Sequence, residues 1–146
     1  MSGDHLFTTS GSTGAPRHWL RSHAQMVDEA ALILGRWAAD ATEILSFAPS
    51  CHSYGMILGE VGAQWLSARL QACSLEQQQL PQLDGDGPCV ILAIASTWRL
   101  LPALLARLSA RRSVLVVHSA SLLPPDALAI VHRFAGPQVR FIELLG

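Results

Sequence analysis

The chain has 146 residues and a formal net charge of −1, and half of its residues are hydrophobic. That length is enough for one domain with a single core, and the near-zero charge gives no reason to expect nucleic acid or an anionic membrane surface as a partner. The longest apolar runs are far too short to span a bilayer, and the N-terminus lacks the plan of a signal peptide.

Charged residues make up only 14% of the chain, whereas a typical globular domain carries about 25%. Either one face of the protein is covered by a partner or by self-association, or the chain is a piece of something larger, which we favour. Cys51, Cys73 and Cys89 are odd in number and widely spaced. They are expected to be small buried hydrophobes in a reducing compartment, so the cytoplasm is the expected location.

A short strand is predicted around residues 5–7, and a second one over residues 19–23 could pair back with it as a hairpin. The connecting loop, residues 7–17, reads Phe-Thr-Thr-Ser-Gly-Ser-Thr-Gly-Ala-Pro-Arg. Glycines expose backbone N–H groups, hydroxyls add donors, and the guanidinium of Arg17 can form paired hydrogen bonds with phosphate oxygens. The composition therefore fits a polyphosphate-binding loop, although a flexible Ser/Gly linker is an equally valid interpretation of composition alone.

The rest of the chain alternates between helical and extended patterns. A helix is predicted to begin at Ser22 or His23, where Met26 starts an apolar stripe of three- and four-residue spacing. Residues 77–88 are expected to form a surface loop, whose Asp-Gly-Asp-Gly run lacks the other ligands of a calcium loop, so no metal site is predicted. The other predicted strands are 44–48, 69–73, 89–95, 113–118 and 139–145, and the other predicted helices are 55–66, 98–108 with Thr97 as N-cap, and 122–134. This order predicts an α/β fold, a parallel sheet with flanking helices.

The loop matches neither the P-loop pattern nor the dinucleotide fingerprint. The run from Thr9 to Arg17, with Ser22-His23 downstream, instead resembles the signature T-S-G-S/T-T-G-x-P-K-G of the adenylate-forming (ANL) superfamily. That superfamily comprises acyl- and aryl-CoA synthetases, the adenylation domains of peptide synthetases, and luciferases. Arg17 replaces the usual lysine, and His18 replaces a glycine, so the backbone after the loop is expected to be conventional. The resemblance assigns ATP binding to Thr9, Ser10, Gly11, Ser12, Thr13, Gly14 and Arg17.

Three further segments extend the resemblance. Residues 49–55 match the family's P-x-x-H-x-x-G segment, which implies that His52 is a catalytic-site residue between the nucleotide and the acid pocket. Ser119, Ala120 and Ser121 stand where relatives carry a small-residue turn that lines adenine, although this turn contains no glycine. Residues 141–146 resemble the strand that leads into the family's Y-G-x-T-E motif, with Leu145 in place of the tyrosine that stacks on adenine.

The resemblance implies a partial AMP-binding domain over residues 1–146. The family's enzymes use ATP and Mg²⁺ to convert a carboxylic acid to an acyl-adenylate, which then passes its acyl group to CoA or carrier-protein pantetheine. The Mg²⁺-binding glutamate and the C-terminal catalytic lysine of the family are not among these residues. We therefore expect part of an acid–AMP ligase, inactive as an isolated chain. The alternatives are a truncated, non-catalytic nucleotide-binding or protein-interaction module, and a degenerate remnant without a ligand.

Overall fold

The structure is a computed structural model that describes residues 3–9, 14–74, 81–83 and 85–145. Its first element is an antiparallel hairpin of β1 (His5–Thr9) and β2 (Arg17–Arg21), in register from His5–Arg21 to Thr9–Arg17. The predicted hairpin is confirmed, and His18 lies in regular strand, as expected from its replacement of glycine. The loop residues Ser10, Gly11, Ser12 and Thr13 lie outside the described residues.

Helix α1 (His23–Trp37) begins where its capping box places it. The Ser22 hydroxyl accepts a hydrogen bond from the Gln25 backbone N–H at 3.1 Å, and the Gln25 side chain accepts one from the Ser22 N–H at 2.9 Å. This reciprocal pair satisfies two backbone donors that a helix start otherwise leaves open. The predicted stripe comprises Met26, Ala30, Leu34 and Trp37, of which the first three are buried and Trp37 is half-buried.

The central sheet has five parallel strands in the order β4-β3-β5-β6-β7. These strands are β3 (Glu43–Ser46), β4 (Arg69–Ala72), β5 (Cys89–Ala93), β6 (Val114–His118) and β7 (Val139–Glu143). Every residue of β3, β5 and β6 is buried, because helices cover both faces of a parallel sheet. The α/β class predicted from the sequence is confirmed.

Each face of the sheet has its own hydrophobic cluster. On one face, α1 and the helix after β3 pack on Ile44, Leu92 and Val117, and Phe7 anchors the hairpin to this cluster. On the other face, α3 (Leu101–Arg107) and α4 (Ala127–Phe134) pack on alternate strand residues such as Ile91 and Val116. The hairpin is thereby fixed beside the sheet rather than hydrogen-bonded into it.

The predicted helix over residues 55–66 is a π-helical segment, Gly55–Val61, that continues into α2 (Gly62–Leu66). The predicted helix 98–108 is wrong at its start. Thr97 lies inside a 3₁₀ turn (Ala95–Arg99) and accepts a hydrogen bond from the Ile94 N–H at 3.0 Å. Pro102 lies in the first turn of α3, and its ring would clash with the carbonyl of residue 98 in a continuous helix.

The predicted helix 122–134 begins later, at Ala127. Pro125 disfavours helical backbone at Pro124, so the helix begins only after the two prolines. Asp126 takes the N-cap position, and its carbonyl accepts a hydrogen bond from the Ile130 N–H at 3.2 Å. Of the loop predicted over residues 77–88, the described part, 81–83 and 85–88, is irregular.

The prediction that all three cysteines are buried is wrong for one of them. Cys89 is buried and Cys73 is half-buried, whereas Cys51 is exposed, and all three are free thiols. Cys51 lies in a turn after β3 rather than in a strand, so the apolar pattern that buries Cys89 does not apply to it. No helix in the described part of the chain is long and apolar enough to cross a membrane.

Candidate functional site

The carboxyl edge of the sheet brings together three of the segments singled out from the sequence. Residues 49–55 follow β3, Ser119–Ser121 follow β6, and Leu144–Leu145 follow β7. Ligands of open parallel sheets bind beyond this edge, where the loops after the strands form a crevice. The base of the hairpin reaches the same region, since Arg21 forms an ion pair with Glu29 of α1 and lines a cavity with Ser119 and Leu144.

The Ser119–Ser121 turn is held by strands on both sides of it. The Ser119 N–H donates to the Ala93 carbonyl at 3.4 Å, and its hydroxyl donates to the Leu144 carbonyl at 3.4 Å. The Ser121 hydroxyl accepts from the Ala95 N–H at 3.1 Å. The turn is therefore bonded to residues at or just beyond the ends of β5 and β7.

Ala120, in the middle of this turn, has φ of +74°. That is the left-handed region, which glycine enters readily and which costs other residues about 1–3 kcal/mol. The turn thus takes a glycine-like conformation although it contains no glycine, and the surrounding hydrogen bonds hold it there.

Tyr54 was not singled out from the sequence as a site residue. Its hydroxyl lies 3.1 Å from the Ala93 carbonyl and 2.9 Å from the Val117 carbonyl, so its single proton is shared between strands β5 and β6. Burial raises the pKa of Tyr54 well above its usual value, and the hydrogen bond to Ala93 offsets only part of that rise. The neutral phenol ties residues 49–55 to the sheet edge. The sequence signals were its place within residues 49–55 and the fact that it is the sole tyrosine of the chain.

Gly55 ends the P-x-x-H-x-x-G segment because no side chain fits there. A Cβ on Gly55 would lie 2.2 Å from the Pro49 carbonyl oxygen and 2.7 Å from the Ala48 carbonyl oxygen. The segment folds back on itself at this point: the His52 N–H donates to the Pro49 carbonyl at 3.1 Å, and the Met56 N–H donates to the His52 carbonyl at 2.9 Å. The imidazole of His52 is exposed.

Two cavities flank residues 49–55. The first, of about 570 Å³, lies against the ends of β3 and β4 and includes Cys51, and the second, of about 220 Å³, includes Ser53 and Tyr54. His52, between them in sequence, lines neither. The first cavity has mainly apolar and small walls, including Phe47, Ala48, Gly59, Leu70 and Ile94, and among the described residues that line it Glu60 is the single carboxylate. The second combines Arg21 and Glu29 with Ser119, Leu144 and Leu145.

The phosphate-loop residues are only partly described. Gly14 and Arg17 are exposed at the far end of the hairpin from Arg21 and line neither cavity. Beside them, the Thr8 hydroxyl lies 2.8 Å from Nδ1 of His18 across the two strands. The structure therefore groups the base of the hairpin, Tyr54 and Ser119 around one cavity, and leaves Gly14, Arg17 and the His52 ring outside it.

No protein-family model and no curated protein sequence matches the chain. Its similarity is to solved structures. An acyl-CoA synthetase (AMP-forming)/AMP-acid ligase II-like protein from Dyadobacter fermentans superposes with a TM-score of 0.67 at 16% identity, over 98% of this chain and 40% of that one. VinN superposes with a TM-score of 0.60 at 20% identity, over 93% and 34%. McyG A-PCP complexed with phenylalanyl-adenylate gives a TM-score of 0.60 at 15% identity, over 92% and 27%.

These similarities show the fold. The chain has part of the fold of the adenylate-forming proteins and spans less than half the length of each of these neighbours. The fold that the sequence motifs implied is therefore the fold that these neighbours share with the chain.

Proposed function

We propose that this chain forms part of an acid–AMP ligase, which activates a carboxylic acid with ATP to an acyl-adenylate before thioester formation. The observation that carries the proposal is the sheet edge, where the P-x-x-H-x-x-G segment, the left-handed Ser119–Ser121 turn and the base of the signature hairpin converge. The fold similarity to AMP-forming ligases supports it. The acceptor of the acyl group would be CoA or a carrier-protein pantetheine.

The residues have separate roles in this proposal. Hydroxyls and amides of the signature loop, with Arg17, would hold the β- and γ-phosphates, and Gly11 and Gly14 would let the backbone approach them. Ser119–Ser121 would border adenine, and His52 would stand between the nucleotide and the acid. Attack of the carboxylate on the α-phosphate needs positioning and charge neutralisation more than covalent help from the protein.

The proposal assigns no Mg²⁺ ligand to the described residues, because no group of three or more His, Cys, Asp or Glu side chains comes together among them as a metal site. The roles given to this chain are to bind and orient the nucleotide and the acid.

The first cavity suits the side chain of the acid, since it adjoins Cys51 and Pro49 on the His52 segment. Its described walls are mainly apolar, and the carboxylate of Glu60 among them would repel a second anionic group. We therefore expect apolar monocarboxylic acids to be preferred over dicarboxylic acids. Measured affinities for an aromatic monocarboxylate and for a dicarboxylate of similar size would decide this, and equal or reversed affinities would contradict it.

Binding is the property to measure first, by calorimetric titration of the chain with MgATP. We expect saturable binding, and we expect Arg17→Ala to weaken it by about tenfold, because a charge-assisted hydrogen bond to phosphate is lost. Arg112→Ala is the matched control, since Arg112 is also an exposed arginine but lies elsewhere on the surface, beside Asp40. Absence of ATP binding by the wild-type chain would refute the proposal.

A second candidate is a nucleotide-binding module without chemistry. It is favoured by Leu145, which is 89% exposed at the position where the resemblance places the adenine-stacking tyrosine. Pyrophosphate exchange into ATP separates the two candidates. Acid-dependent exchange by the full natural polypeptide that carries this sequence supports the ligase, and MgATP binding without exchange supports the module.

A further inference from the structure

We propose that Trp98 and His118 are positioning residues that hold the Ser119–Ser121 turn in its nucleotide-binding shape. The inference rests on the proposed function, in which that turn borders adenine. Trp98 lies outside the segments that resemble the superfamily signature, and His118 directly precedes the three residues of the turn. Both are almost completely buried, with 2% of Trp98 and 1% of His118 exposed. A buried histidine at the end of an otherwise apolar strand requires partners, and the structure supplies them on both ring nitrogens.

The hydrogen bonds fix the tautomer of His118. The Trp98 indole N–H can only donate, and it lies 2.9 Å from Nδ1 of His118, so Nδ1 is the acceptor. The proton of the neutral imidazole must then be on Nε2, which lies 2.8 Å from the Ser121 carbonyl and donates to it. One chain of donors therefore runs from the indole through the imidazole to the last residue of the turn.

This series of hydrogen bonds fixes the Ser121 end of the turn, which the strands do not hold. The start of the turn is held through His118, the last residue of β6. The carbonyl of His118 accepts a hydrogen bond from the Leu144 N–H, just beyond β7, at 2.9 Å. The far end, at Ser121, is held by the imidazole on its carbonyl and by the Ala95 N–H on its hydroxyl. Between the two ends is Ala120, which has no glycine freedom to favour its positive φ. Contacts from outside the turn must therefore maintain its conformation.

Two substitutions of His118 separate the two hydrogen bonds. The amide of Asn occupies the position of Nδ1 and can accept from Trp98, but it does not reach the Ser121 carbonyl. The amide of Gln reaches the position of Nε2 and can donate to that carbonyl. Trp98→Phe keeps a ring but removes the N–H that holds Nδ1, so the imidazole is no longer fixed from that side and its donation from Nε2 to the Ser121 carbonyl is less well oriented.

Phe141 provides the control for packing. Its ring stacks on Trp98 at a centroid distance of 6.0 Å, but it takes no part in the hydrogen bonds to the turn. Phe141→Leu should lower the melting temperature of the chain without changing nucleotide affinity. A purely structural role for His118 predicts that His118→Asn behaves in the same way.

The experiment measures dissociation constants of the full chain and its variants for MgATP and for inorganic tripolyphosphate. We expect His118→Asn and Trp98→Phe to weaken MgATP binding on the order of tenfold, the effect of losing one hydrogen bond, while tripolyphosphate affinity changes less than about twofold. His118→Gln should restore MgATP affinity to within about threefold of wild type. Amide hydrogen exchange at Ala95 and Ser119 should be faster in His118→Asn than in Phe141→Leu.

The outcomes distinguish the inference from the function on which it rests. If the wild type binds MgATP and His118→Asn binds it equally well, or loses both ligands in parallel, the positioning role is overturned and the proposed function stands. If the wild type binds no MgATP, the proposed function fails and the positioning role fails with it. Faster exchange without loss of affinity also overturns the inference.

Discussion

At the scale of single residues, Ala120 shows how tertiary contacts can replace glycine. Its φ of +74° would be unstrained for glycine, whereas it strains the backbone of an L-residue with a Cβ. The hydrogen bonds of Ser119 and Ser121 to Leu144 and Ala95, just beyond the ends of β7 and β5, provide the compensation. This is strain at a proposed functional turn, where a rigid local shape is useful.

We predict that Ala120→Gly raises the free energy of unfolding by about 0.5 kcal/mol. Relief of the left-handed conformation, about 1 kcal/mol, exceeds the added entropy of glycine in the unfolded chain, about 0.5 kcal/mol. Urea unfolding monitored by tryptophan fluorescence would measure it. Ala129→Gly, in α4, is the control and should lower stability by about 1 kcal/mol. A loss at both positions would contradict the strain argument.

Glu43 and Arg111 form a buried ion pair at the opposite edge of the sheet. Arg111 Nη2 lies 2.9 Å from Glu43 Oε1, with 3% and 5% of the two side chains exposed. Arg111 also donates to the Gly87 carbonyl at 3.1 Å, and so fixes the end of the loop before β5. The pair therefore joins β3 to the segments that enter β5 and β6.

We predict that Arg111→Ala destabilises the chain by about 3 kcal/mol or more, because it leaves the buried Glu43 carboxylate without its closest partner. Arg112→Ala, at the neighbouring position, should change stability by less than about 1 kcal/mol, since its pair with Asp40 is exposed. Chemical denaturation of both variants provides the comparison. Similar losses for the two would show that burial does not decide the strength of these pairs.

At the scale of elements, the segment from Pro49 to Gly55 owes its shape to one missing side chain. The carbonyls of Ala48 and Pro49 occupy the space where a Cβ on residue 55 would lie. Backbone atoms cannot move aside as the end of a flexible side chain can. Gly59, one turn later in the same helix, has only ordinary contacts at 3.6 Å or more.

We predict that Gly55→Ala costs about 2 kcal/mol or more and shifts the start of the π-helical segment, whereas Gly59→Ala is tolerated or slightly stabilising. Thermal unfolding measures the stability of both variants. Both substitutions add the same methyl group to the same helix, so helix propensity cannot explain a difference. Equal melting temperatures would contradict the proposed contact with Pro49.

At the scale of the whole molecule, burial of ionisable groups makes stability dependent on alkaline pH. Burial, with the nearby charge of Glu43, raises the pKa of Cys89 to about 12 and that of Cys73 to about 11, from 9.0. Arg111 offsets part of this rise for Cys89. Below pH 9 both thiols are neutral in the folded and the unfolded chain. Above it the unfolded thiols ionise first, which favours unfolding.

We therefore predict that full stability is present below pH 9 and falls as pH rises from 9 towards 12. Cys89→Ala should have a shallower loss over this range, whatever its stability at neutral pH, because Cys89 no longer contributes to the change in proton binding. Cys51→Ala is the control, since that thiol is exposed. Denaturant midpoints at pH 8, 9 and 10 test this, and parallel curves for Cys89→Ala and wild type would refute it.

The apolar surface of the molecule agrees with its low proportion of charged residues. Leu6 and Leu20 face each other across the hairpin and are 62% and 59% exposed. The neighbouring structures extend well beyond the part that this chain matches. Cover by the remainder of a ligase, or self-association through this surface, remains our proposal for these residues.

The sequence by itself determined the local elements and their class. Alternating strand and helix patterns predicted the parallel sheet, the apolar stripe predicted a helix that begins at Ser22 or His23, and the run from Thr9 to Arg17 resembled the signature of proteins whose fold the chain shares. These signals are local, since they depend on spacing within a few residues. The helix starts that failed, at Thr97 and at Leu122, failed because nearby prolines set the boundaries more strictly than the apolar pattern did.

Only the tertiary structure decided how the site is held together. Tyr54 and Val117 are 63 positions apart, and Glu43 and Arg111 are 68 positions apart, so no local sequence pattern predicts either contact. The left-handed Ala120 and the tautomer of His118 depend likewise on partners from other strands and turns. Sequence spacing reports which backbone conformation is favoured locally, whereas hydrogen bonds between distant segments form only once the sheet has brought the ends of its strands to one edge.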